Sequence, residues 1–529
     1  MWIALAAVAL ATLAWFFIDQ LNYWRKLGVP QPSLLFNFKE MFNLFAQRRS
    51  FAESVMMLYD MFPEKRFGGI YSFKQPILMI RDPDLLKELT VKNFDHFTDH
   101  TNIISEVAEP LWGKNLFALK GKRWREMRPI LSPSFTSSKM RGIFTLISEC
   151  AENFTDFYRN FKEDTIEIEL KDSFTRFTND VIATAAFGVK SDSLTDRDNR
   201  FYVMGKEMTS FGANTVSGTM KMLFLIAFPG VFEALNLRIF RKEVADFFIN
   251  TIEDTVETRK KKGIVRPDMI HLLIEAQKGS SETKEAEALE DDSFAAQTES
   301  DLGRTQGVQR ELTNMDIAAQ AMIFFFAGFE SVSSMMCFMG YELAVNEEIQ
   351  DRLREEILDT LNNNNGKLTY EALIKMDYMD MVVSEVLRKW PAAAAVDRQC
   401  TKPYTIQPKL PGEKPVTIEL KQAIWIPIFG IHRDPSIYPD PEKFDPERFN
   451  EYNRTNIKPF NYIPFGAGPR NCIGSRFALL EIKTVFFHLL ANFKLVSTEK
   501  SHIPLKLSAK SFNLTAQDGF WFGLEKIND

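Results

Sequence analysis

Apolar positions keep a helical rhythm through most of this chain between residues 120 and 400. Phe240, Val244, Phe247, Phe248, Ile252 and Val256 recur mostly at three- and four-residue spacing, which predicts a helix ending on the basic run at residues 259–262. Strand-like runs occur early, at Gly69 to Ile80 (GIYSFKQPILMI), and late, between Tyr404 and Ile428. From Ile424 to Phe449 the chain is rich in turns and prolines (IWIPIFGIHRDPSIYPDPEKFDPERF). Proline removes a backbone donor and fixes φ, so this run is expected to form no regular element and to be held by side chains against a helical body. No repeat is visible. The expected class is mainly α with small β-sheets (α+β).

The rhythm disappears at the start, where residues 1–18 (MWIALAAVALATLAWFFI) carry no charge. A membrane-crossing helix needs roughly 17–25 apolar residues, so residues 1–20 are expected to be a transmembrane anchor. Arg25 and Lys26 on its far side favour a cytosolic body. A cleaved signal would want a basic leader and a shorter apolar core. Residues 21–35 form a basic, proline-broken hinge, and residues 36–529 one large folded unit. Within that unit, residues 279–303 hold eight acidic residues against one lysine and are expected to be an exposed loop. The sequons at Asn153, Asn453 and Asn513 are then expected to be unmodified.

The run MIFFFAGFESVSS at residues 322–334 raises a question of its own. It reads as buried helix, yet it contains Gly328 and Glu330. A glycine costs about 1 kcal/mol against alanine in a helix interior, and a buried carboxylate must be paired. A membrane span is excluded by Asp316, Gln320 and Glu330.

Composition adds three limits. Phenylalanine occurs 47 times, which implies large apolar surfaces inside. The net charge of −6 argues against nucleic acid as a partner. Four scattered cysteines with no CxxC pair imply no disulfide framework and no Cys-rich metal site.

The most informative stretch is PFGAGPRNCIGSRFALLE, Pro464 to Glu481. Gly466, Gly468 and Pro469 enforce a tight loop, and helical spacing resumes after Ile473. Cys472 therefore precedes a helix N-terminus, where N–H groups and partial positive charge stabilise a thiolate. A buried inert cysteine needs no such glycine collar, and a cysteine nucleophile needs a partner histidine that the six histidines do not supply locally. An axial thiolate on a haem iron explains the loop best.

Phe465-Gly466-Ala-Gly468-Pro-Arg470-Asn-Cys472 matches FxxGxRxC, and the chain here resembles the cytochrome P450 superfamily. Supporting motifs stand in that family's order: Trp124 and Arg128 (WxxxR), Glu385 and Arg388 (ExxR), and Arg448 in FDPERF. Segments such as LSPSFTSSKM and the AGFE run resemble microsomal, insect family-nine detoxification enzymes. The GVPQP hinge departs from the usual proline-rich form.

The resemblance implies a P450 fold and haem b, with Cys472 as the axial iron ligand. It implies that Phe465, Gly466, Gly468, Ala327 and Gly328 lie against the haem, and that Trp124, Arg128, Arg398 and Arg470 meet its propionates. Glu385, Arg388 and Arg448 become a structural triad. Glu330 and Ser331 become the proton-delivering pair, Ala327-Gly328 a loosened helical turn, and Ser331 stands where the family usually has threonine. Without the methyl group that restricts χ1, the Ser331 hydroxyl is expected to be less firmly aimed. Candidate substrate contacts are residues 103–117, Phe324, Ala327, residues 392–395, Val396 and residues 513–515 with Leu514.

The implied activity is monooxygenation of lipophilic small molecules, xenobiotic or endogenous, at the endoplasmic reticulum membrane with the catalytic unit cytosolic. Electrons would come from NADPH through NADPH-cytochrome P450 reductase, with cytochrome b5 a second candidate donor. The basic cluster Lys122, Arg123, Arg125 and Arg128 suits an acidic reductase, and Phe224 to Phe232 is a candidate second bilayer contact. Two other classes remain open: a haem-thiolate isomerase or dehydratase acting on peroxides without a reductase, and a non-catalytic haem-binding protein.

Overall fold

The helical rhythm is realised as a helical body with three small sheets. The N-terminal helices α1 (Leu34–Phe45) and α2 (Phe51–Asp60) lead into the hairpin β1 (Phe67–Ser72) and β2 (Gln75–Ile80). There follow α3 (Gly121–Leu131), α4 (Ser137–Arg159), β3 (Thr165–Glu169), α5 (Leu170–Ile182), α6 (Arg200–Thr209), α7 (Lys242–Lys262) and α8 (Met269–Gln277). The long α9 (Asn314–Val345), α10 (Glu347–Asn363) and α11 (Asp377–Lys389) come next. Strands β4 (Val396–Gln399), β5 (Tyr404–Ile406), β6 (Val416–Ile418) and β7 (Ala423–Ile426) precede α12 (Ser475–Asn492), and β8 (Phe493–Val496) and β9 (Trp521–Lys526) close the chain. The computed structural model describes residues 19–527 apart from 73–74, 102–103, 105, 211–217, 219, 222–223, 226–227, 267 and 278–311. The expected anchor up to residue 18 and the whole acidic loop 279–303 lie outside the described residues.

The sheets order as β1-β2-β7-β4, β3-β9-β8 and β5-β6. Both strand-like runs are found, but the second sheet, with β3 antiparallel to β9, was not anticipated. The run from Ile424 to Phe449 also differs from expectation. Its first residues precede Pro427 and so keep their donors, and they form β7, parallel to β2 through Leu78 and Ile424. A short helix follows at Ile428–Ile431 and a 3-10 turn closes the run at Pro446–Phe449, so only the stretch between them is irregular. Helix α7 buries Val244, Phe248, Ile252 and Val256 as the spacing predicts. It begins at Lys242 because Arg241 is extended, and it ends on Gly263 with φ 61°.

Helix α9 crosses the centre and packs most extensively against α5. Among the described residues it alone is long and apolar enough to span a membrane, yet its polar residues are satisfied inside the protein. Asp316 forms a capping box with Thr313. Gln320 accepts from Leu116 N–H at 2.8 Å and donates to Lys114 O at 2.9 Å. Glu342 accepts from Trp390 Nε1 at 2.7 Å and pairs with Lys389 at 2.8 Å. These partners make α9 a core helix.

Two apolar cores result. The larger surrounds α9 and α12, and the smaller lies under the first sheet and includes Leu78, Ile424, Ile426, Ile463 and Ala467. The cysteine loop runs along the seam, with Ile463 and Ala467 in the small core and Leu479 and Leu480 in the large one.

On α12 the Glu481 carboxyl is fully buried, and neither oxygen has a hydrogen-bond partner among the described residues. Burial pushes its pKa well above the ordinary carboxyl range. The folded state therefore holds a proton there that the unfolded chain releases above about pH 4.5, so this group costs stability as pH rises. Glu481→Met is expected to gain about 1–3 kcal/mol at pH 8, the usual cost of an unsatisfied buried polar group. Denaturant midpoints at pH 8 and pH 5 check this, with the gain shrinking at the lower pH.

Candidate active site

The loop before α12 is built by its glycines. Gly466 and Gly468 have φ of 82° and 70°, values that favour glycine. A Cβ on Gly468 would stand 2.2 Å from Thr90 O, so no side chain fits there. Cys472 N–H donates to Phe465 O at 2.9 Å, and Asn471 N–H to Gly468 O at 2.9 Å, folding the loop back on itself. Cys472 is the one exposed cysteine of the four. Burial holds the thiols of Cys150 (pushed up to about 12), Cys337 and Cys400 protonated. Only Cys472 is placed to ligate.

A triad ties this loop to the helical body. Arg388 donates to both Glu385 oxygens at 2.6 and 2.8 Å, and both side chains are fully buried. Arg388 also donates to His432 O at 2.9 Å and Pro441 O at 2.8 Å, while Asp445 N–H donates to Glu385 at 2.9 Å. Arg448 Nε lies 3.4 Å from Glu385 Oε1, close enough for an ion pair but not aligned as a hydrogen bond. Arg448 donates instead through Nη2 to Asp440 O at 2.9 Å.

Three buried arginines gather beside the loop. Arg128 donates to Asn471 O and Oδ1, each at 3.0 Å, and so grips the residue before Cys472. Arg470 donates to the carbonyls of Thr98, Leu116, Phe117 and Leu119 and lies over the Trp124 ring, 4.2 Å from its centroid. Arg398 donates to Asp397 O at 2.7 Å and Ala467 O at 3.0 Å, and its Nε has no hydrogen-bond partner among the described residues. Burial lowers Arg398 to about 10; burial with the neighbouring Arg398 and Arg128 charges lowers Arg470 to about 9 despite Asp99. Asp397 is shared with His100 Nδ1 at 3.0 Å and Thr101 N–H at 2.6 Å. Positive charge is in excess here.

On α9 a cavity of about 90 Å³ is lined by Phe326, Ala327, Glu330, Ser331, Ser334, Met335, Ala392, Asn513 and Leu514. Ala327 is exposed on an otherwise mostly buried helix. Glu330 pairs with Lys171 of α5 at 3.0 Å, and the same ammonium donates to Ser333 and Ser334 Oγ at 2.8 Å each. Ser331 Oγ donates to Ala327 O at 2.5 Å, so the carbonyl aims the hydroxyl in place of the absent methyl group. Phe135 joins this helix to the cysteine loop: its ring is 5.4 Å from that of Phe324 and approaches the Gly474 backbone.

Several expectations change. The helix is continuous through residues 327–328, so no loosened turn exists. Gly328 approaches α5, where a Cβ would stand 2.9 Å from Ile182 Cδ1. Phe324 packs on Phe135 and Val396 sits in the sheet opposite Ile426; neither lines the cavity, whereas Ala327, Ala392 and Leu514 do. Arg128 of the basic cluster is buried, and Arg123 and Arg125 pair with Glu106 and Asp95, leaving Lys122 most exposed.

The sequence profile of the family described as "Cytochrome P450" matches residues 30–521. The chain belongs to the cytochrome P450 family. It is 44% identical to Cytochrome P450 9e2 of Blattella germanica, covering 99% of this chain and 98% of that one. It is 40% identical to Probable cytochrome P450 9f2 of Drosophila melanogaster over 99% of each, and 36% identical to Cytochrome P450 6k1 of Blattella germanica over 97% and 95%. P450s are monooxygenase oxidoreductases, so the chain is an enzyme of that kind and the family implies a haem cofactor.

The residues present fit a haem. The exposed Cys472 offers one soft donor, buried Arg398 offers an orphan N–H to a carboxylate, and Ala327 leaves a small, open helix face. Sequence reasoning missed Lys171, His100 and Phe135, since nothing local marks a lysine, a histidine and a phenylalanine that meet their partners only in three dimensions. Lys171→Met removes charge-assisted hydrogen bonds worth about 1.5–3 kcal/mol from the Glu330 region. Product formed per NADPH is expected to fall severalfold while haem content stays unchanged, which parallel coupling and pyridine-haemochrome assays check.

Proposed function

We propose that this P450 oxygenates lipophilic small molecules, xenobiotic or endogenous, at the cytosolic face of the endoplasmic reticulum membrane, with electrons from NADPH through NADPH-cytochrome P450 reductase. The observation that carries the reading is the α9 cavity. Phe326, Ala327, Met335, Ala392 and Leu514 give it apolar walls, and Glu330 and Ser331 bring a carboxylate and a hydroxyl to the same surface. An apolar pocket with a few convergent polar groups is the usual form of a small-molecule site.

Haem, when bound, supplies dioxygen binding and one-electron chemistry, and thiolate ligation favours O–O cleavage. Cys472 holds the ligand position because its loop is closed by Phe465 O and its helix N-terminus favours the thiolate. Arg128, Arg398 and Arg470 would hold the haem carboxylates. Ser331 Oγ–H and the Glu330 carboxylate stand together at the cavity wall as donor and acceptor for proton transfer, with Lys171 fixing the Glu330 side chain. The apolar walls exclude bulk water and select lipophilic substrates. An acid and a hydroxyl converging on the cavity favour this reading over a reductase-independent peroxide isomerase, which has less need of proton delivery.

Membrane association is supported by exposed apolar side chains on two segments. On α1 these are Leu35, Phe38 and Phe42, and around the short helix Pro229–Ala234 they are Phe228, Val231 and Leu235. Such faces suit a bilayer surface. Lys122, the most exposed of the α3 basic cluster, suits an acidic reductase. Reconstitution with reductase, NADPH and ¹⁸O-labelled dioxygen tests the function: one labelled atom should enter a lipophilic probe such as lauric acid as a new hydroxyl group. Conversion of an organic hydroperoxide without reductase, and no labelled product with it, would overturn the proposal.

A further inference from the structure

The two helices that flank the site leave one buried histidine unexplained. His432 is fully buried between the end of α11 and the chain entering the cysteine loop. Ile463 N–H donates to its Nε2 at 2.9 Å, and its Nδ1 lies 3.1 Å from Arg388 O. An amide N–H cannot accept and a carbonyl cannot donate, so Nε2 carries no proton and Nδ1 carries one. The two neighbours thus fix a single neutral tautomer. The ring stacks on Tyr462, with centroids 5.5 Å apart and planes 15° apart, and meets the edge of Tyr438. Its own carbonyl accepts from Arg388 Nη1 at 2.9 Å.

We propose that His432 is a positioning residue for the thiolate loop, coupling the Glu385–Arg388 pair to Ile463 through its neutral ring and releasing the loop when that ring is protonated. The proposal rests on the reading of Cys472 as haem ligand. The path is short and continuous. Glu385 holds Arg388, whose carbonyl and guanidinium hold His432, whose Nε2 holds Ile463 N–H. Ile463 O in turn accepts from Gly466 N–H at 3.0 Å, and Phe465 O accepts from Cys472 N–H at 2.9 Å. Protonation would put a donor at Nε2 facing the Ile463 donor, and the link would break.

The surroundings oppose that protonation. Charged neighbours are Arg388 on α11 and Arg433 on its own segment, Tyr438 and Tyr462 are the ring neighbours, and Glu385 is committed to Arg388. Burial, then the two arginines, hold His432 down at about 3. An opened loop would return it toward the ordinary 6.5. The closed state therefore binds fewer protons than the open one between about 3 and 6.5, and it loses stability as pH falls through that window.

The test uses full-length haem-loaded protein and reads the reduced carbon monoxide spectrum, as the share of thiolate-type over thiol-type Soret band, from pH 8 to pH 4. His432→Gln keeps an acceptor and a donor near the two ring nitrogens but does not titrate. It is expected to keep the thiolate band at pH 7.5 and to lose it at lower pH than wild type. His432→Phe keeps the ring stack without either hydrogen bond, and is expected to lose most of the thiolate band already at pH 7.5. Superimposed acid profiles for wild type and H432Q, or a wild-type band share in H432F, would overturn the proposal. If H432F does not accumulate, the H432Q profile decides alone. A wild-type protein with no thiolate band at any pH would refute the Cys472 reading instead, so the two failures are distinguishable.

Discussion

Cys472→Ser is expected to abolish reductase-driven oxygenation while leaving the fold in place. Serine is nearly the same size, and the loop is held by backbone contacts that the change does not touch: Cys472 N–H to Phe465 O, and Asn471 to Gly468. What is lost is the anionic sulfur, because a hydroxyl does not ionise at neutral pH and cannot supply the electron density that thiolate ligation provides. No other cysteine can compensate, since Cys150, Cys337 and Cys400 are kept as thiols by burial. Far-ultraviolet circular dichroism should match wild type, and NADPH-supported turnover should fall to background. Turnover near wild type would mean that Cys472 is not the ligand.

Glu385→Ala is expected to cost more stability than almost any surface change. It leaves the Arg388 guanidinium fully buried with no counter-charge, and it strips Asp445 N–H of its acceptor. Removing one partner of a buried pair typically costs about 3–5 kcal/mol, against a total of about 5–15 kcal/mol for a folded protein. Arg388→Lys should be nearly as damaging, because one ammonium cannot reach Glu385, His432 O and Pro441 O together. The expected result is a large drop in haem-loaded yield and in the denaturant midpoint. A midpoint shift worth less than about 1 kcal/mol, within the range of surface substitutions, would show that the pair is dispensable.

How far the sequence revealed the site depended on how local each feature is. The cysteine loop was legible because glycines, proline, arginine and cysteine sit within one turn-forming window whose geometry they dictate. The Glu385–Arg388 pair was legible because i, i+3 spacing on a helix brings side chains together. Lys171 was not, since it lies 159 positions from Glu330 and only the crossing of α5 and α9 joins them. The neighbour of Gly328 was hidden for the same reason: Ile182 of α5 approaches it only once the two helices cross. Strand β3 escaped because its partner β9 lies near the end of the chain, Ile166 facing Leu524. Ser331 lacks the methyl group that would fix its rotamer, and the Ala327 carbonyl that holds it instead is visible only once the helix is built.

The central claim is that Cys472 binds haem iron as a thiolate in a chain that oxygenates by reductase-delivered electrons. The carbon monoxide difference spectrum of the dithionite-reduced full-length protein tests its first half directly. A red-shifted thiolate-type Soret band at pH 7.5 that develops equally when NADPH and reductase replace dithionite is the predicted result. A band at the position of a neutral-thiol or imidazole ligand, or no reduction by the reductase, would contradict it.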